Sequence, residues 1–118
     1  MKIVDRKTFL AMRGQVLFCK YRPCSFGDPA IKVENCGERD FAVDYMFDSV
    51  ENSGSDDLFD KLESAERDPN LDLPLDLHYT GRDGEFDENQ LFAVYTRRDI
   101  RQIIDRLEEV LGSSECEK

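Results

Sequence analysis

The chain predicts an α+β fold in which a mostly antiparallel sheet of four to five strands packs with about three helices. Three observations lead there. Residues 40–48 alternate with period two, apolar residues recur at helical spacing behind capping residues in three places, and helices and strands do not alternate strictly.

In chain order, Asp5 is placed to cap a short helix over 6–12, with Phe9, Leu10 and Ala11 or Met12 turned inward and Gly14 ending it. Gln15–Tyr21 is β-prone and apolar on both faces, the pattern of a central strand. Two prolines and a glycine make Arg22–Pro29 a turn. Ala30–Glu34 alternates, with Ile31 and Val33 on one face and Lys32 on the other. Asp40–Asp48 is the clearest strand. Phe41, Val43, Tyr45 and Phe47 are expected to face the core, and Asp40, Ala42, Asp44, Met46 and Asp48 to face out.

Ser55 is expected to cap a helix over Asp56–Arg67 that buries Leu58, Phe59, Leu62 and Ala65 and turns Asp60, Glu63 and Glu66 to water. Asp56 and Asp57 suit the positive end of that helix. Pro74 demotes Leu71–Tyr79 to an edge strand or extended loop, and Arg82–Asp87 reads as a turn. Leu91–Tyr95 is a short buried strand. Thr96 and Asp99 form a capping box for a last helix whose Ile100, Ile103, Ile104, Leu107 and Leu111 share one stripe, with Gly112 as its stop. The single domain expected from this pattern covers 1–112, and the polar segment 113–118 is expected to be a flexible tail.

The charge of −10 is unevenly placed. Glu34–Glu88 holds eighteen acidic residues against four basic ones, whereas residues 1–33 hold seven basic and two acidic. A strongly acidic middle repels a polyanion and attracts a basic surface. No segment approaches the roughly 18 apolar residues of a membrane span, and Met1–Lys7 lacks the apolar stretch of a signal peptide. The expectation is a cytoplasmic protein with Cys19, Cys24, Cys36 and Cys116 as free thiols.

Motifs for catalysis or metal binding are weak. His78 is the single histidine, and no nucleophile has a motif around it, so it reads as a surface residue of an extended segment. Cys19, Cys24, Cys36 and His78 lack the short paired spacing of structural zinc motifs, and Cys19 reads as a core thiol. Asp83–Asn89 is rich in oxygen ligands, but Gly84 falls second and Phe86 interrupts the run, unlike a calcium loop. Glycosidase chemistry is rejected because the chain has no Trp and its aspartates fall on a presumed outer face. Gly14, Gly27 and Gly37 are isolated and form no phosphate-binding loop. No cofactor and no metal are expected.

The segments Cys24–Lys32, Asp40–Asp44, Arg82–Asp87, Leu91–Tyr95 and Arg98–Ile100 together resemble a family of small acidic proteins encoded by tailed bacteriophages and prophages. The resemblance runs from Phe9 to about Leu107 and brings no catalytic residue with it. It implies a bacterial cytoplasm during infection or lysogeny, and a protein that acts by binding host machinery. The function expected is that of a non-catalytic, anti-CRISPR-like inhibitor that mimics nucleic acid and occludes a Lys/Arg-lined surface of a bacterial defence complex. It binds neither nucleic acid nor membrane. The partner-binding residues expected are Asp40, Asp44 and Asp48 on the strand face and Asp56, Asp57, Asp60, Glu63 and Glu66 on the middle helix. The competing expectation is a phage accessory or self-assembling protein, with an apolar patch joining two copies.

Overall fold

The computed structural model describes residues 1–114. Its elements are strand β1 (Lys2–Val4), helix α1 (Arg6–Ala11), strands β2 (Val16–Arg22), β3 (Ser25–Phe26), β4 (Ala30–Cys36) and β5 (Asp40–Tyr45), helix α2 (Ser55–Arg67), strands β6 (Thr80–Arg82) and β7 (Leu91–Val94), and helix α3 (Arg97–Ser113). The α+β class stands. All seven strands join one antiparallel sheet in the order β1-β7-β2-β4-β5-β6, with β3 pairing β2 off that path.

Strands β1, β3 and β6 are two or three residues long, too short for any period to show in the sequence. Leu71–Tyr79 makes a single antiparallel bridge, Leu75 with Val50, and the edge strand forms just after it, at β6. Pro74 has no N–H to give a ladder, whereas Thr80–Arg82 pairs fully with β5.

The core lies on one face of the sheet, under α1. The Phe9 ring stacks on Phe92 with centroids 4.0 Å apart and planes 1° apart, and Phe18 and Phe41 meet it at 4.8 and 5.1 Å. Val16, Ala30, Val43 and Val94 complete the cluster, with Val4, Leu10 and Met12 at its rim. A six-residue helix has no stability of its own, so α1 exists because it is fastened at both ends. Asp5 accepts the Thr8 N–H at 2.8 Å. At the other end, Lys32 reaches through the core side of β4 and donates to the Phe9 and Met12 carbonyls, both at 2.9 Å. Lys32 is 1% exposed, and burial pushes its pKa down. Arg6, also buried, donates to the carbonyls of Arg39 and Glu85 and holds its guanidinium over the Phe41 ring.

Helices α2 and α3 contribute nothing to this core; no residue of either is buried. Phe59 and Leu62, expected inside, are exposed, and Leu58 and Ala65 are half-buried. On α3 the expected stripe stands at the surface from Ile103 onward, up to Leu111 at 81%, and Ile100 is half-buried. The helix passes Gly112 and runs to Ser113, with Ser114 as its C-cap; the rest of the expected tail lies outside the described residues. Tyr45 and Phe47 are exposed because β5 ends at Tyr45, beyond the reach of the Phe9 cluster. Gly54, not Ser55, precedes α2, and its φ of +144° lies where glycine is favoured.

The molecule is accordingly open. Its radius of gyration is 16.5 Å, against about 13–14 Å for a compact chain of this length. Its accessible surface is 9097 Å², against about 6,600 Å² for a compact monomer of this mass. No helix among the described residues is long and apolar enough to cross a membrane.

This division between a single core and two uncovered helices predicts unequal mutational costs. Phe9→Ala is expected to destabilise by about 3–5 kcal/mol in urea denaturation. Leu111→Ala is expected to shift the unfolding free energy of the dilute protein by less than about 0.5 kcal/mol. Equal losses would mean that α3 is part of the cooperative core.

Candidate interaction surface

The two aspartates at the start and middle of β5 are not surface residues. Asp40 and Asp44 do lie opposite Phe41 and Val43, as period two requires, but they are 1% and 6% exposed. The reason is β6. It pairs along β5 with Arg82 opposite Ala42 and Thr80 opposite Asp44, and its side chains close over the acidic face. One Asp40 oxygen accepts Arg82 Nε at 3.0 Å, and the other accepts the N–H groups of Gly84 and Phe41 at 3.0 and 2.8 Å. Asp44 accepts the Thr80 hydroxyl at 2.5 Å. These carboxylates pin the sheet edge and are removed from the partner-binding set.

The acidic loop 83–88 is also partly used up internally. Lys20 bridges Asp83 at 2.7 Å and Glu85 at 2.5 Å, so a basic residue of the N-terminal segment neutralises two acids of the middle. Asp87 accepts the Asn89 N–H, and Asp83 the Glu85 N–H, in local turns. The oxygen-rich segment serves as a strut between β2 and the loop before β7.

Besides scattered acids such as Glu34, Glu38 and Glu88, the exposed acidic surface is α2 with its flanking ribbon. The chain leaves β5 through Asp48, exposed on a bend, and returns antiparallel along 74–76: Glu51 N–H meets the Pro74 carbonyl at 2.8 Å, and Asp76 N–H meets Ser49 at 2.7 Å. Asp57 fixes the start of α2 by accepting the Ser53 N–H at 2.8 Å and pairing with Lys61 at 3.2 Å, and these bonds lower its pKa. Lys61 also donates to the Glu51 carbonyl at 2.7 Å, tying helix to ribbon. Asp57 is therefore a half-buried fastening residue more than a free acid.

Asp56, Asp60, Glu63 and Glu66 are exposed, and Glu63 pairs with Arg67 at 3.1 Å one turn on. Helical spacing puts Asp56, Asp60 and Glu63 in one row, at i, i+4 and i+7. Phe59 stands at the margin of that row, three residues after Asp56 and four before Glu63, and is 70% exposed. Leu62 lies beside it, and Leu71, Leu75 and Leu77 are exposed in the adjoining segment. Reading the sequence finds the carboxylates of this surface but assigns Phe59 and Leu62 to the core. Helical periodicity marks an apolar face without saying whether the fold supplies a cover.

The sulfur and imidazole groups do not converge. Cys19 is buried with Sγ 3.6 Å from the Tyr95 hydroxyl, and that hydrogen bond, with burial, pushes the Tyr95 pKa up to about 12. Cys24 is exposed, Cys36 is half-buried, and Cys116 lies outside the described residues. His78 is exposed in a turn whose N–H is accepted by Asp76. Among the described residues, no three His, Cys, Asp or Glu side chains gather as metal ligands would.

Burial opposes the Asp40 charge, but the bonds from Gly84, Phe41 and Arg82 outweigh it and hold the carboxyl below its usual pKa. Its stabilisation is thus present above the unfolded carboxylate value of about 3.9 and is lost as pH falls through the lower folded value. Asp40→Ala is expected to cost about 2–4 kcal/mol at neutral pH, because Arg82 and two N–H groups lose their acceptor. Urea titrations from neutral pH to about pH 3 are expected to show a shallower acid dependence for the variant than for the parent. Parallel curves would mean that Asp40 is not the titrating pin.

Against protein-family models, curated proteins and solved structures alike, the chain finds no match.

Proposed function

We propose that this protein is a non-catalytic binding protein whose α2 surface docks on a basic face of another protein. The observation that carries the proposal is Phe59, an uncovered aromatic ring at the margin of the row Asp56, Asp60 and Glu63. Interfaces draw most of their affinity from a few aromatic or arginine anchors, while charges around them set encounter rate and partner choice. An exposed ring with a carboxylate rim offers both. Asp48 and Glu66 extend the acidic field, and Asp40 and Asp44 have no part in it.

The resemblance to phage and prophage proteins makes the partner of choice a bacterial defence complex that handles nucleic acid. A Lys/Arg-lined path built to follow a phosphate backbone would accept a row of carboxylates, and Phe59 would fill an apolar gap beside it. The inhibitor would act by occlusion in the host cytoplasm, as an anti-CRISPR protein does, and would turn over no substrate.

Phe59→Asp and the double reversal Asp60→Lys/Glu63→Lys separate the two contributions. Phe59→Asp is expected to weaken binding by about 2 kcal/mol or more, roughly thirtyfold, chiefly through faster dissociation. The double reversal is expected to slow association and to abolish its dependence on salt. The measurements are phage plating on strains carrying single defence systems and binding to the system that is blocked, at low and high salt. Circular dichroism checks that the variants stay folded. Inhibition by both variants at the parental level would reduce the acidic surface to a solubility feature.

A further inference from the structure

We infer that α3 is a self-association helix that pairs antiparallel with α3 of a second copy of this chain. The inference stands apart from the α2 proposal and uses different residues.

Ile100, Ile103, Ile104, Leu107, Val110 and Leu111 recur at spacings of three and four and cover about a third of the helix circumference. Ile103, Ile104, Leu107, Val110 and Leu111 are all exposed, and none of them is buried by the described residues. The helix is nevertheless well begun. Thr96 and Asp99 cap it reciprocally at 3.2 and 2.8 Å, and the N-terminal ammonium group pairs with Asp99 at 2.6 Å. A 17-residue helix, about 25 Å long, thus projects from a fixed root with an uncovered apolar stripe. The accessible surface exceeds that of a compact monomer by more than the about 800 Å² that each partner gives to a standard interface.

The charges beside the stripe say what covers it. Arg97 and Arg101 lie along one edge of it in the first half, and Glu108 lies along the same edge in the second half, at i, i+4 and i+11. Arg98 adds to the basic half, and Asp105 and Glu109 to the acidic half; Asp99 and Arg106 run against that division but are held by the N-terminal ammonium and by Glu109. Arg101 and Glu108 have no ion-pair partner among the described residues. Laid antiparallel, two such helices set the arginines of each beside the glutamates of the other, and the same edge meets itself across the two-fold axis. A parallel pair sets that edge against the opposite one, where Asp99 and Arg106 are already paired with the N-terminal ammonium and Glu109. The complement to this helix is therefore itself, reversed.

Light scattering on the full chain, at rising concentration, tests the pairing. The expected mass is twice 13.7 kDa, falling toward one copy on dilution. Arg101→Glu alone and Glu108→Arg alone are each expected to weaken association at least about tenfold, because each sets like charges across the axis. The double variant Arg101→Glu/Glu108→Arg is expected to restore it, and Leu107→Asp to abolish it, with circular dichroism unchanged at the root fold. A monomer at every soluble concentration overturns the inference. So does a dimer that survives Leu107→Asp, or a double exchange that fails to restore what the single exchanges lose.

Discussion

The hydrophobic core of this chain is gathered around one ring. Phe9, brought down by six helical residues, touches Phe18, Phe41 and Phe92, and those three come from three separate strands. Because α1 is so short, the ring stays in place only while Asp5 holds the start of the helix and the Lys32 ammonium holds its end. Lys32 spends its charge on two carbonyls and lies 4.9 Å from the Phe9 centroid, so a cation is a structural part of the apolar core. This cluster closes under α1 alone, and neither α2 nor α3 adds a residue to it.

The sequence discloses the elements that carry their own local chemistry. The Asp5 cap, the Thr96–Asp99 box and the central strand β2 all depend on residues near in sequence, and each forms as expected, whereas β5 forms but stops at Tyr45 instead of Asp48. What eludes it is set by neighbours distant in sequence. Asp40 and Asp44 alternate as outward-facing residues do, yet Arg82 and Thr80, about forty positions away, turn that outer face inside. Conversely, Phe59 and Leu107 keep the spacing of buried residues and lie in the open, because periodicity shows that a helix has an apolar side and is silent on what meets it. The carboxylates of the candidate surface were half legible for the same reason: those on α2 depend only on helix geometry, those on β5 on a strand pairing.

The acidic middle therefore divides into two populations with different physics. Asp40, Asp44, Asp57, Asp83 and Glu85 are held by named donors, and their charge helps to fix the edge of the sheet, the start of α2 and the strut to Lys20. Asp48, Asp56, Asp60 and Glu66 are exposed and bind no cation among the described residues, so their field reaches solvent. Only exposed carboxylates without a cation attract a partner from a distance; α2 gathers Asp56, Asp60 and Glu66 on one helix, while Glu34, Glu38, Asp72 and Glu88 are spread over other segments. Net charge alone could not distinguish them.

That concentration also decides which helix can pair with its own copy. α2 carries five acidic and two basic residues, and bringing two such helices together would set like charge against like within the roughly 8 Å over which salt leaves it unscreened. α3 carries four of each sign, with three of its four basic residues in the first half and three of its four acidic residues from the midpoint on, and reversal turns that division into attraction. An apolar stripe flanked by balanced charge suits an identical partner, and one flanked by acid alone suits a basic stranger. The two uncovered helices are thus not interchangeable, and the difference lies in the order of Arg, Asp and Glu along each.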